Sequence, residues 1–368
     1  MQRFDIAYNI EIFDRQFNLI DHYTLGGVSY KYDYLNTTEN RIIVAFNAAV
    51  EIGQYIHLDN GIRDYFGVIS GVFSGEVAAG FMEVRYRPFI SIFDAQILFD
   101  TDLQPGSGSG STVTLEQMIA DTITAYWISN ADASQNIPGL SVRTISSTTS
   151  WGFHLTSDIK GLHKTIINFQ TAIIQKALTK YQVGLYAIPD YVAKTITVEI
   201  GVKALATYVI EADLPSVIVK NIVLNENSND INKLVIYDNT DLTTNIIYYK
   251  HPDRSYDTTD ADRITPVIYS LIGVSPTEED PFLNLAQQNA DKTFDQESYN
   301  NLIELTVTNE DELVMASDLT IGQVVSVVSD GVIYPSLFTG VEIGSRTKLI
   351  FGTVRIELTK ILKGARNG

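Results

Sequence analysis

Five histidines, His22, His57, His154, His163 and His251, and no cysteine make up the soft-ligand inventory of this 368-residue chain. None of the histidines stands in a His-Glu-x-x-His or related spacing, the arrangement that brings two imidazoles onto one helix face around zinc. His163 has no acidic partner at ligand spacing and reads as a polar surface residue of a helix. Without Cys there is no thiolate nucleophile, thiolate metal site or disulfide frame. Gly71–Gly75 reads GVFSG, which sets Ser74 one place late for the Gly-x-Ser-x-Gly turn that exposes a nucleophilic hydroxyl. The Gly-Ser run at 106–111 has no Lys-Ser/Thr behind it, so it is a loop and not a phosphate cradle.

Hard oxygen ligands are more plentiful. Asp253, Asp257, Asp260 and Asp262 lie in HPDRSYDTTDADR, and their chemistry would suit Ca2+. They lack the Gly and terminal Glu of an EF-hand loop, so a solvated acidic loop is the simpler reading. Asp and Glu total 44, so carboxylates close in sequence are no sign of a glycosidase pair. Aromatic faces stack on sugars, which makes the two tryptophans candidates for saccharide contact. Trp127 falls in a predicted helix and reads as core; Trp151, in SSTTSWGF, is open to either role. The residues assign no catalytic group, no cofactor and no metal.

The elements that would position any chemistry are mostly strands. Tyr numbers 20, β-branched residues are frequent, and a length of 368 exceeds one ordinary core. The formal charge of −18 excludes a surface built to track nucleic-acid phosphates. The amino terminus, MQRFDIAYNIEIFD, lacks the apolar centre of a signal peptide, and no apolar run approaches a membrane span, so the chain reads as soluble. Phe4, Ile6, Tyr8, Ile10 and Ile12 alternate with Asp5, Ala7, Asn9 and Glu11 as in a half-buried strand. Further strands are predicted at Val28–Tyr34, Arg41–Phe46, Gln54–Leu58, Phe66–Ser70 and Met82–Tyr86, giving a β-barrel or sandwich over residues 1–103. An inserted α+β domain follows at 104–205. Thr114-Leu115-Glu116-Gln117 is a capping-box pattern opening its first helix, with Leu115, Met118, Ile119 and Ile123 inward. A longer helix is predicted from Asp158 to Tyr181, its stripe formed by Leu162, Ile166, Phe169, Ile173 and Ala177, before strands Val183–Ile188 and Thr195–Val202. Residues 206–300 form a second, strand-rich insertion, with strands Val217–Leu224, Lys233–Tyr237 and Asn245–Lys250. One helix runs from Pro281 to Thr293, with Phe282, Leu285 and Ala286 inward. Residues 301–368 form a second barrel, completed by other segments. The fold class is therefore α+β, mainly β: two β-barrel domains with inserted α+β domains.

Two phrases tie the ends together. EIGQYIHLDNGIRDYFGVISGV (Glu51–Val72) and TIGQVVSVVSDGVIYPSLFTGV (Thr320–Val341) each set Ile-Gly-Gln 19 positions before a Gly-Val. Asp330-Gly331 has the composition of a two-residue type I′ turn, and Asn60-Gly61 takes the matching place one residue earlier. Gly53 and Gly322 suggest a bulge or strand start. Each phrase leads to a strand containing Val-Arg, Val84-Arg85 in one and Val354-Arg355 in the other. Short patterns recur by accident, but this ordered recurrence favours two related barrels. Two such barrels per chain in a trimer would make six similar domains around a ring.

The run LTIGQVVSVVSDGVIYPSLFTGVEIG…TKLIFGTVRIELTKIL resembles the closing barrel of the phage tail hub family. So does INKLVIYDNTDLTTNIIYYKHPDRSYDTTDADRITPVI, with Asn232-Lys233, its Tyr-rich strand and Thr265-Pro266-Val267 in the family's order. The family comprises contractile-phage baseplate hubs and the amino-terminal part of siphophage tail-associated lysins. The resemblance implies a non-enzymatic homotrimer in the virion, at the tail tip or baseplate, made in the host cytoplasm. It would cap the tail channel below a hexameric distal tail protein and open for DNA release on host contact. The tape measure protein and receptor-binding proteins are the further partners implied. The chain ends at Gly368, just past the predicted strand Thr353–Leu362, so a short hub without a lysin domain is expected. A tail-associated peptidoglycan hydrolase and a saccharide-binding adhesion module are the alternatives.

Overall fold

The alternation at the amino terminus becomes the first strand: Tyr8, Ile10 and Ile12 of β1 (Ala7–Phe13) point inward and are almost fully buried. β2 (Leu19–Gly26), β3 (Tyr30–Asp33), β4 (Asn40–Ala45), β5 (Tyr55–Asp59), β6 (Asp64–Phe73), β7 (Phe81–Pro88) and β8 (Gln96–Asp100) follow. Six of these strands form one antiparallel sheet in the order β2-β1-β5-β6-β7-β4. In the computed structural model the described residues are 7–34, 38–61, 64–74, 78–100, 103, 113–148, 151, 164–203, 208–224, 231–251, 256–261, 267–278, 281–294, 301–307, 319–344 and 346–352. Phe4, Ile6, the Gly-Ser run, His154, Leu162, His163, Asp253, Asp262, Thr265, Pro266 and the strand expected at Thr353–Leu362 lie outside them.

The first insertion opens with α1 (Leu115–Ile123). The Thr114 hydroxyl accepts a hydrogen bond from the Gln117 backbone N–H at 3.2 Å, as the capping pattern requires. The Gln117 side chain does not reach back; its amide donates to Asp121 at 2.7 Å. Leu115, Met118, Ile119 and Ile123 all turn to the core, and the helix continues as a π-helical turn over Thr124–Ile128. After β9 (Leu140–Thr144) the helix expected from Asp158 needs correction. Lys164–Asn168 is a strand, β10, paired antiparallel with β8. The sequence KTIIN is β-branched, and it buries Thr165 and Ile167 while Ile166 is 66% exposed, a period of two that helical geometry cannot produce. Only from Phe169 does the chain turn helical, through a π-helical turn at Gln170–Ile174 into α2 (Gln175–Tyr181). Phe169, Ile173 and Ala177 do form its buried stripe. β11 (Gly184–Asp190) and β12 (Thr195–Gly201) complete a three-stranded sheet, β12 running parallel to β9.

β13 (Tyr208–Glu211) and β14 (Val217–Leu224) belong by pairing to the carboxyl-terminal sheet. Contacts divide the chain into two compact units, residues 1–223 with 301–368, and residues 224–300. The latter unit is a four-stranded sheet of β15 (Lys233–Asp238), β16 (Asn245–Lys250), β17 (Tyr256–Asp257) and β18 (Tyr269–Val274), with α3 (Phe282–Phe294) on one face. Leu234, Ile236, Tyr248 and Val274 pack against Ala286, Ala290 and Phe294 of the helix, with Phe282 and Leu285 at the margin.

β19 (Asn301–Val307), β20 (Val324–Ser329), β21 (Val332–Ile343) and β22 (Thr347–Gly352) build the second barrel-like sheet, ordered β13-β20-β21-β22-β19-β14. Its central run β20-β21-β22-β19 repeats β5-β6-β7-β4 of the first sheet. The register repeats as well: Tyr55 faces Val68 in one hairpin and Val324 faces Leu337 in the other. Both long strands carry a bulge at the same place, between Ile69 and Gly71 and between Phe338 and Gly340. The fold is thus mainly β, with two related barrel-like sheets and α+β material between them.

Candidate functional site

The two Ile-Gly-Gln loops have one conformation. Gly53 and Gly322 stand at φ +86° and +84°, which a side chain resists and glycine adopts freely. Gly53 N–H donates to Ile69 O at 2.9 Å and Gly322 N–H to Phe338 O at 2.8 Å. In return Ile69 N–H donates to Gln54 O and Phe338 N–H to Gln323 O. Each glutamine is buried and its side-chain oxygen accepts from the backbone three residues earlier, Glu51 N–H at 2.9 Å and Thr320 N–H at 3.1 Å. The loop, the following hairpin and the bulge therefore form one unit, made twice.

Two details depart from the sequence expectation. In the second hairpin Ser329 faces Val332 across the two-residue turn Asp330-Gly331, both at positive φ, the type I′ geometry. In the first, the last pair is Asp59 with Asp64, so Asn60-Gly61 lies in a longer, four-residue connection. The Val-Arg match also fails. Arg85 faces Gly71 in the first sheet, but Ile350 faces Gly340 in the second, so Ile350 takes the place of Arg85. Val354 and Arg355 lie outside the described residues.

Around this pair the sheets are joined by an exchange. β3 leaves the first half of the chain and pairs antiparallel with β21, Asp33 facing Gly340 and Tyr30 facing Ile343. Glycine at 340 is required because a Cβ there would lie 2.8 Å from Tyr32 O. Asn40 clamps β3 from its other flank, accepting from Lys31 N–H at 2.7 Å and donating to Lys31 O at 2.8 Å. Val341 packs on both barrel cores, and Ile343 is buried within the first. Tyr34, just past β3, is buried; its backbone N–H donates to Thr339 O, and its hydroxyl accepts from Leu185 N–H at 2.8 Å. A cavity of about 470 Å³ opens beside this seam, lined by Lys31, Glu39, Arg41, Glu342, Arg346 and Lys348 among others. Its charges are of mixed sign, and Lys348 pairs with Glu342 at 3.2 Å while Glu39 pairs with Arg87 at 3.3 Å.

On the first sheet the edge matching the one that β3 covers is Gly71–Phe73. Among the described residues no strand lies along it on the side away from β7. Its neighbour Arg85 lies over the Phe73 ring at 4.2 Å.

The residues screened for chemistry are scattered. His22 is on exposed β2, and Ser74 is exposed in the turn after β6. His251 Nε2 lies 3.1 Å from Asp257 Oδ1, and Asp257 accepts from Thr259 N–H at 2.6 Å, a contact that with the His251 hydrogen bond holds its carboxyl below the usual range. Asp260 is exposed nearby. Among the described residues no group of three or more His, Asp or Glu could hold a metal ion. Trp127 is half-buried against Phe93 and Phe169 at 5.0 and 5.8 Å, in line with a packing role. Trp151 is buried and donates to Val113 O at 3.0 Å, which leaves no open face for a sugar. Glu116 is a fully buried carboxylate on α1. Burial alone would raise its pKa, but hydrogen bonds from the Ser146 and Thr148 hydroxyls and the Thr148 N–H hold it below the usual range. That is a structural staple between α1 and the extended segment that follows β9. His57, between Glu11 and Asp64, belongs to no sequence motif; its partners come from other strands and only the register brings them together.

No known protein-family profile matches the chain, and no curated protein sequence does. Solved structures do. A 43 kDa tail protein of prophage MuSo2 from Shewanella oneidensis is 13% identical, with a TM-score of 0.51 over 94% of this chain and 98% of that one. A tail protein from Neisseria meningitidis MC58 is 13% identical over 94% and 97%, with a TM-score of 0.48. A chain of the phage P2 baseplate in its activated conformation is 10% identical over 94% and 98%, with a TM-score of 0.47. At such identities the likeness is one of fold, and it runs nearly end to end. The chain has the fold of a phage tail protein, the fold that its resemblance to the tail hub family implies.

Proposed function

We propose that the chain is a structural hub of a phage tail tip or baseplate, a homotrimer that caps the tail channel below a hexameric distal tail protein. On host contact it opens for DNA release. The tape measure protein above it and receptor-binding proteins around it are the other partners in this reading, and its role is non-enzymatic. The observation that carries the proposal is the doubled unit: two sheets per chain with the same strand order, register, bulge and loop. Three such chains give six near-equivalent sheets, which lets a threefold object meet a sixfold one. The exchange of β3 supports the same closure. Within a chain it joins the first sheet to the second, and the uncovered Gly71–Phe73 edge is where the next copy would join in the same manner.

Mass measurement in solution, alone and with the distal tail protein, tests the reading. A particle of three chains is expected, with the amides of Gly71–Phe73 slowed in hydrogen exchange on assembly. A chain that stays monomeric with its partner present refutes it. Clearing of host peptidoglycan by the purified protein would overturn the non-enzymatic role.

A further inference from the structure

His57 lies on β5 directly opposite Glu11 of β1, with Asp64 of β6 on its other side. Its Nδ1 is 3.0 Å from Glu11 Oε2 and its Nε2 is 2.7 Å from Asp64 Oδ1. The imidazole is 13% exposed. Tyr191 covers it, ring centroids 4.7 Å apart and planes 32° from parallel. Tyr191 comes from another part of the fold, the turn between β11 and β12. It also stacks on Phe13 at 5.1 Å and meets Phe17 and Phe66 edge-on. Its hydroxyl is buried without a hydrogen-bond partner. Three residues on, Lys194 Nζ donates to Asn18 Oδ1 at 2.6 Å. The hairpin tip thus rests on the first sheet through one aromatic stack and one amide contact.

The protonation state of His57 decides whether that rest is stable. A neutral imidazole has one N–H and one lone pair, so one ring nitrogen would face a carboxylate oxygen lone pair to lone pair. The imidazolium donates to both carboxylates and presents a cation to the Tyr191 ring. The charged and titratable groups at the contact are Glu11 on β1, Asp14 just after it, Asp59 on β5 and Asp64 on β6, with Tyr191 and Lys194 on the hairpin, whose Asp190 is taken up by the Val192 and Ala193 N–H groups of its own turn. Of these acids, Asp64 and Glu11 favour the proton on the ring.

We propose that His57 is a proton-operated latch: as imidazolium it ties Glu11 to Asp64 and holds Tyr191, and with it the β11–β12 turn, against the first sheet, and loss of the proton frees that turn. Burial disfavours the charged ring, but the hydrogen bonds and charges of Asp64 and Glu11 outweigh it and raise its pKa above 6.5. Glu11 and Asp64 stay beside the ring when the turn lifts, so the turn is coupled to the proton through the Tyr191 face, which favours the cation; docking is strongest below the open-turn pKa of His57 and weakens as pH rises through the docked one. A tenfold tighter hold on the proton in the docked state corresponds to about a tenfold gain in the docking equilibrium.

The test is hydrogen exchange of the full chain over the peptide containing 190–194, from pH 6 to pH 9 and corrected for intrinsic rates, with the His57 ring followed by NMR. Opening of the turn is expected to rise by up to about tenfold per pH unit between the His57 pKa of the open turn and the higher pKa of the docked turn, and to level off above the latter. His57→Gln should remove that rise. Glu11→Gln, which keeps the strand and its shape, should move both the ring titration and the onset of opening to lower pH together. A turn that opens equally at all pH, a rise that persists in His57→Gln, or a ring titrating at or below 6.5 overturns the proposal. If His57→Gln does not fold, the joint shift in Glu11→Gln decides alone.

Discussion

Replacing Gly53 and Gly322 separately by Ala weighs the two copies of the loop against each other. Both glycines hold nearly the same positive φ, so either Ala should cost about 1–2 kcal/mol in backbone strain. What surrounds them differs. The atoms nearest the new methyl at 53 are those of the Arg15 guanidinium, the end of a long side chain that can swing away. At 322 it meets Leu178 Cδ1 at 3.0 Å and Tyr186 Oη at 3.1 Å. Leu178 is fully buried on α2, and the Tyr186 hydroxyl donates to Ile321 O at 3.2 Å, so neither yields freely. Overpacking of this kind adds about 1–2 kcal/mol. Gly322→Ala should therefore be the more damaging by about 1–2 kcal/mol. Urea unfolding followed by tryptophan fluorescence reads this directly, because Trp127 and Trp151 both lie in the unit that contains both loops. Equal losses, or a larger loss for Gly53→Ala, would show that the first insertion does not brace the second loop, and the reasoning would fail.

Glu116→Ala should cost about 2–4 kcal/mol, since it strands a half-buried backbone N–H and two hydroxyls that now bond a charge; calorimetry measures it. Because its pKa is lowered in the fold, the Glu116 contribution should be intact above the ordinary carboxylate value of 4.5 and fade as pH falls below it. The melting temperatures of the wild type and of Glu116→Gln should accordingly converge under acid. Asn40→Ala should cost about 2–3 kcal/mol and speed amide exchange in Tyr30–Asp33, because both polar groups of Lys31 lose their clamp. Gln54→Ala should destabilise the first loop by about 1–3 kcal/mol while leaving exchange around Gln323 unchanged, a separation that peptide-resolved exchange can score.

The features legible in the residues are those that local pattern governs. Alternating Tyr8, Ile10 and Ile12 announce an inner face, Thr114 with Gln117 announces a helix start, and Asp330-Gly331 announces a tight turn. The recurrence of Ile-Gly-Gln is informative for the same reason: a positive-φ glycine and a buried capping glutamine leave little choice of residue. β2 escapes a pattern reading because it is an edge strand with solvent on much of both sides, so its polar Asp21 and His22 blur the period of two. β10 merges in sequence with the helix that follows it, since Ile166 and Phe169 happen to fit a helical stripe. The crossing of β3 and the setting of His57 are beyond such reading, because both depend on pairings between strands far apart in the chain.

That crossing also sets a timetable for the nascent chain. β3 and the core of the first sheet wait for Val341 and Ile343, about 300 residues downstream of their partners, a separation that makes closure intrinsically slow. At a synthesis rate of about 5–20 residues per second, the first sheet stands with its seam open for roughly 15–60 s. Its Tyr30 and Ile42 are exposed to other chains through that interval. A strand made late thus seals strands made early, so a chain cut before β21 would leave the first barrel unfinished as well as the second.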